Sequence, residues 1–138
     1  MTAEEYLSQA YKLNEQIKDK QERIAYLDEL MKSLSAIDYS KDKVQTNQQT
    51  DASFVNQIAK IDELKGEIEQ DLLKLCDLQF EISHAIDSVE DVTFKLFLSK
   101  RYLLMKTMEE IAEEMGYSTT YIYKIQNKAL ETFKIPET

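Results

Sequence analysis

Apolar side chains return every three or four residues along the first part of the chain, at Tyr6, Ala10, Leu13, Ile17, Ile24, Leu27, Met31 and Leu34, with Lys20 standing inside the series. Alternating steps of three and four draw a narrow seam down one side of a helix, which a second helix must cover. The pattern predicts a helix over residues 3–37, roughly 50 Å long at 1.5 Å per residue. Lys20 is either a stem that carries its ammonium to the seam's edge or a polar contact that sets register. Periodicity fails over 38–52, where Asp38-Tyr-Ser-Lys-Asp-Lys-Val-Gln-Thr-Asn-Gln-Gln-Thr-Asp51 reads as a loop, either a mobile connector or a binding loop. A second stripe follows at Ile58, Ile61, Lys65, Ile68, Leu72, Leu75, Gln79, Ile82 and Ile86, widened by Leu64, Cys76 and Leu78. It predicts a helix over 52–88. Two long helices joined by one loop suggest an antiparallel hairpin. The breadth of the second stripe asks for a further partner, either a second protomer or the C-terminal helices folding back.

The last third changes character. Ser88-Val-Glu-Asp91 carries a capping signal before a third helix, Val92 to Leu104, apolar at Val92, Leu96, Phe97 and Tyr102. Leu104 to Thr107 turns the chain. Thr107 and Glu110 have the spacing of a capping box. Gly116 stands where a left-handed residue ends a helix, and Ser118 can cap the next. Ile111, Ala112, Met115, Ile122, Ile125 and Ala129 recur at helical spacing across that turn, and small Ala112 permits a close crossing. Two helices around a sharp turn have the form of a helix-turn-helix, whose second helix is shaped for the major groove of DNA. A core of Leu96, Leu103, Ile111, Ile122, Ile125, Leu130 and Phe133 would hold this module. At about 50 residues it is small for independent stability, so docking on the long helices is expected to support it.

Two Gly and one Pro in 138 residues leave too few turn formers for a β architecture, and 31% charged residues rich in Lys and Glu favour helix. The expected fold is all-α: a long acidic helical hairpin over 1–88, then a three-helix module over 89–138. A net charge of −9 argues against a general nucleic-acid binder. Its distribution softens that objection. Residues 1–88 hold 10 Lys and Arg against 18 Asp and Glu, whereas 117–134 hold Lys124, Lys128 and Lys134 against Glu131 alone. The second helix of the pair is therefore the locally positive part of an acidic chain, which implies moderate, salt-dependent binding helped by a dimer or a partner.

Cys76 is the sole cysteine and falls in an apolar stripe, so it reads as a buried core thiol. His84, the single histidine, reads as structural. No Gly-rich phosphate loop, metal-spaced His/Cys cluster or Ser–His–Asp arrangement is present, so neither an enzyme nor a metal or other cofactor is expected. The start of the chain lacks a basic and apolar leader, and no run approaches a membrane span, which points to the cytoplasm.

Arg101-Tyr-Leu, Thr107-Met-Glu-Glu-Ile-Ala, Met115-Gly-Tyr-Ser, Tyr121-Ile-Tyr and Lys128-Ala-Leu together resemble the fourth region of bacterial primary sigma factors over residues 88–134. In those proteins this region reads the −35 promoter element and touches the β-flap of RNA polymerase. The whole layout, with Ile-Asp-Tyr-Ser-Lys-Asp-Lys-Val in its loop, is similar to small phage and prophage proteins of Gram-positive bacteria related to autolysin regulators and late-gene activators. The resemblance implies a recognition helix from Thr119 to about Phe133, with Ile122 and Ile125 inward. Thr119, Thr120, Tyr121, Tyr123, Lys124, Asn127 and Lys128 would face DNA, and Lys100, Arg101 and Lys106 would hold the backbone beside it. Asn127 can read adenine, threonine methyls can meet thymine, and Lys124 and Lys128 can reach phosphate or a guanine edge. Sigma factors place several arginines on this helix, whereas lysines and tyrosines stand here. No sigma region 2 is visible, so promoter melting is not expected.

The leading expectation is a DNA-binding transcriptional regulator of phage origin whose long helices mediate homodimerisation or partner binding; a two-fold dimer would favour a palindromic operator. A second is a protein-interaction module that engages host RNA polymerase by mimicking sigma region 4, for which the acidic first half and the Glu109, Glu110, Glu113 and Glu114 face suit a basic partner. A third is a coiled-coil spacer, in which the C-terminal helices serve only packing.

Overall fold

A computed structural model of the protein describes residues 1–40 and 47–137, the side chains of 35–40 and 47–52 aside. The described residues form α1 (Ala3–Leu7), α2 (Gln9–Ser40), α3 (Asn47–Asp87), α4 (Val92–Leu98), a π-helical turn (Ser99–Leu103), α5 (Met108–Met115) and α6 (Thr119–Thr132), with no strand among them. The protein is all-α. α2 runs on through Ser40 and α3 begins at Asn47, so both helices take in ends of the stretch that polar composition assigns to a loop. The remainder of that loop, 41–46, lies outside the described residues. The chain folds as two compact units, residues 15–73 and residues 1–14 with 74–138.

In the unit of residues 15–73, α2 and α3 meet along the predicted seam. Ile17, Ile61 and Ile68 are buried, while Ile24, Leu27, Met31 and Leu64 are half-buried. Lys20 reaches across from α2 to Asp71 of α3, Nζ to Oδ2 2.6 Å, with Glu67 at 3.9 Å. Farther along, Met31 of α2 lines a cleft with Ile58 of α3, so the two helices run in opposite directions. Two helices alone bury only a narrow line, however. Leu34, Ile58 and Leu72 belong to the predicted stripes and stand exposed, and Leu30, Val55 and Leu73 are exposed beside them.

Cys76 corrects the reading of a buried thiol: it is exposed. At 3.6 residues per turn it falls on the side of α3 shared by exposed Leu72 and Phe80, away from buried Ile68 and Ile82. Its apolar neighbours Leu75 and Leu78 pack against the core from the adjacent side of the helix, and Cys76 does not follow them.

The other unit has the larger core. α1 starts at Thr2, whose Oγ1 accepts the Glu5 N–H at 3.1 Å, and Glu4 and Glu5 complement the positive end of the helix dipole. Ser8 separates α1 from α2. Tyr6, Leu7 and Ala10 then join Ile82, Ala85 and Ile86 from the end of α3 in one cluster with Phe97, Leu98, Tyr102, Met108, Ile111, Ala112, Ile122, Ile125, Ala129 and Phe133. The three C-terminal helices therefore share their core with α1, the start of α2 and the end of α3.

α4 begins at Asp91, whose carboxylate accepts the Phe94 N–H at 3.1 Å. Phe94, Phe97 and Leu98 share one side of it by helical spacing. Leu96 lies about 150° round from their centre at 100° per residue. It is 47% exposed rather than part of the core, and Val92 is exposed for the same reason. Beyond α4 the helix widens, with the Leu104 N–H bonding five residues back to Ser99 C=O at 3.0 Å. Lys106 N–H bonds to Lys100 C=O at 3.0 Å, and Met105 takes a left-handed φ of 57°. These turns reverse the chain into α5.

Candidate nucleic-acid interface

Three local devices set the geometry of α5 and α6. Thr107 Oγ1 accepts the Glu110 N–H at 3.2 Å, and its hydroxyl lies 3.2 Å from Glu110 Oε1, where it donates. Gly116 ends α5 at φ 74° and ψ 30°, and the Tyr117 N–H bonds back to Ala112 C=O at 2.9 Å. Ser118 Oγ accepts the Tyr121 N–H at 3.2 Å and starts α6. Only residues 116–118 separate the two helices.

Packing then decides which side of α6 faces outward. Ile122, Ile125 and Ala129 are buried against α4 and α5, and Phe133 closes the end. Tyr102 fastens the helix from the side, its hydroxyl accepting from Gln126 Nε2 at 3.5 Å. Burial pushes the Tyr102 phenol above its ordinary pKa, although the Gln126 bond opposes that shift.

Thr119, Thr120, Tyr121, Tyr123, Lys124, Asn127 and Lys128 are all exposed, so one helix carries seven of the ten candidate side chains on its free surface. Lys124 and Lys128 lie one turn apart, and neither makes an ion pair among the described residues. Glu131, also exposed, follows Lys128 by three residues and weakens the positive field at that end. Tyr117, which is not among the residues expected from sequence, packs edge-on against Tyr121 with ring centroids 4.9 Å apart. Their four-residue spacing, running from the turn into the helix, is the signal that could have found it.

Lys100, Arg101 and Lys106 have a different setting. Lys106 Nζ lies 2.6 Å from Glu114 Oε1, and Lys100 Nζ lies 3.5 Å from the same oxygen. Arg101 Nη1 donates to Lys106 C=O at 3.0 Å. The Lys106 hydrogen bond, with help from the Lys100 charge, holds the Glu114 carboxyl below its ordinary pKa. Three of the ten candidate residues are thus engaged within the protein.

Among the described residues no three His, Cys, Asp or Glu side chains gather as a metal site, and no helix is long and apolar enough to cross a membrane. The architecture is that of an all-helical protein whose helix α6 presents a polar face carrying Lys124 and Lys128. The chain belongs to the DUF1492 family of proteins of unknown function, whose model matches residues 33–134. No curated protein and no solved structure matches it.

Proposed function

We propose that the protein is a sequence-specific DNA-binding transcriptional regulator, of the kind carried by phages and prophages, in which α5 and α6 act as a helix-turn-helix and α6 enters the major groove. The observation that carries this reading is the division of α6. One side, Ile122, Ile125 and Ala129, is buried, and the other offers Thr119, Thr120, Tyr123, Lys124, Asn127 and Lys128 to solvent. Residues near the start of a recognition helix reach base edges most readily. Thr120, Tyr123 and Lys124 occupy that part, Asn127 has the paired donor and acceptor that adenine requires, and Lys128 suits a phosphate. With few cations on the face, affinity relies on pairing two copies. The exposed Leu30, Leu34, Leu72 and Leu73 of the long helices support such a homodimer.

Selection of bound fragments from a random duplex pool at near-physiological salt tests the reading. An enriched motif, paired where the dimer is two-fold, is expected. Lys124→Glu should abolish retention while leaving the helical circular-dichroism signal intact. Unchanged retention by that variant, or no enrichment by folded wild-type protein, would sink the proposal.

A second reading rests on α5. Glu109, Glu110 and Glu113 stand exposed on it and make no ion pair among the described residues, a surface suited to a basic protein partner such as host RNA polymerase. Recovery of polymerase from host lysate with nuclease present, together with an empty DNA selection, would favour this reading over the first.

A further inference from the structure

Glu114 sits where a helix end offers it nothing. In the last turn of α5 the carbonyl groups carry negative charge, and a carboxylate there is disfavoured by the helix dipole. Two lysines from outside the helix hold it instead. Lys106, in the loop before α5, approaches Oε1 at 2.6 Å, and Lys100, in the π-helical turn, approaches the same oxygen at 3.5 Å. Arg101 steadies that loop through its bond to Lys106 C=O. One anionic oxygen between two ammonium groups is the arrangement that a phosphodiester oxygen makes with paired lysines.

We infer that Lys100 and Lys106 form a phosphodiester site that Glu114 occupies in the free protein and vacates for DNA. The inference rests on the DNA-binding reading and adds to it an internal competitor. The three side chains carry two positive charges against one negative, so a phosphate that reaches them is attracted once Glu114 withdraws. The three side chains are partly exposed, and ion pairs in such settings are weak enough to exchange. Glu114 thereby lowers non-specific affinity while the lysines remain poised in the same module as α6.

The test measures duplex-DNA affinity against salt for wild type, Glu114→Gln, the double variant Lys100→Gln/Lys106→Gln, and the triple variant, each checked for fold by circular dichroism. Glu114→Gln should bind several-fold tighter at low salt. The double variant should bind more weakly, and the slope of log K against log salt should fall by about 0.9 for each phosphate that is no longer neutralised. In the double-variant background the Glu114→Gln gain should vanish, because a carboxylate acting through the lysines has nothing left to release. A gain that persists there at full size would show plain repulsion between Glu114 and DNA, and overturn the inference. So would wild-type affinity in the double variant, or no gain in Glu114→Gln. Absence of binding by folded wild type and Glu114→Gln alike would overturn the DNA-binding reading itself, and this inference with it.

Discussion

The ring of Tyr6 lies 5.9 Å from that of Phe133, with 30° between their planes, so α1 closes over the residue that ends α6. The contact joins positions more than a hundred residues apart. Leu7 and Ala10 are fully buried beside it, in the same cluster as Ile82 and Ile86. α6 is held in place partly by the first turns of the chain.

Leu7→Ala should therefore destabilise the unit that contains the candidate interface, by about 2–5 kcal/mol, the usual range for emptying a buried leucine site. A fragment of residues 89–138 should fail to show cooperative unfolding, since its core partners are absent. Urea titration followed by circular dichroism checks both. Wild-type stability in Leu7→Ala would mean that α1 contributes little.

Tyr6 also carries a pH signature. Burial, with the nearby Glu81 charge and its hydrogen bond to the phenol at 3.3 Å, pushes the phenol up to about 12. An unfolded tyrosine titrates near pH ~10. Between these values the unfolded chain has lost a proton that the folded one retains, so the stabilisation is complete below about pH 10 and declines towards pH 12. Tyr6→Phe should remove its share of that alkaline decline and lose only a weak hydrogen bond at neutral pH. Denaturation midpoints at several alkaline pH values would show the difference, and identical profiles would count against it.

At Gly116 a substitution isolates backbone strain. A Cβ there would meet nothing within 4 Å, but the φ of 74° is unfavourable for an L residue. Gly116→Ala should cost about 1–2 kcal/mol with no crowding penalty. Gly116→Asn should cost less, since asparagine tolerates the left-handed region. Thermal unfolding of the two variants would separate them.

Pairing of two copies through the long helices predicts that Leu73→Asp, which puts a charge on a side chain already 62% exposed, lowers the solution mass from dimer to monomer without unfolding the chain. Light scattering across a concentration series reads this directly. A monomeric wild type at tens of micromolar would remove the dimer from the proposal.

Legibility in the sequence follows the range of the forces involved. Thr107, Gly116 and Ser118 act on backbone groups within a few residues, and each occupies the role that its spacing predicts. The free surface of α6 is readable too, because burial of Ile122, Ile125 and Ala129 fixes the opposite side by helical period alone. Leu96 departs from the expected core because Phe94, Phe97 and Leu98 take the covered side of α4 at helical spacing and leave Leu96 on the other. Cys76 departs from it because apolar neighbours along a helix do not supply a covering partner. The Lys106–Glu114 contact brings the residue before α5 against one in its last turn, eight residues on, and no periodic pattern announces it. Lys20 shows the same limit: the seam marks its position, but only the structure names Asp71 as its partner.

The discontinuous unit has a further consequence during synthesis. Leu7 and Ala10 leave the ribosome more than a hundred codons before the α6 residues that share their core. At ~5–20 residues per second that interval is on the order of ten seconds. For the first part of it Leu7 and Ala10 have none of their core partners, and even after the end of α3 emerges their cluster lacks the residues of α6. Completion of α6 is then the event that matures α1 and the candidate interface together.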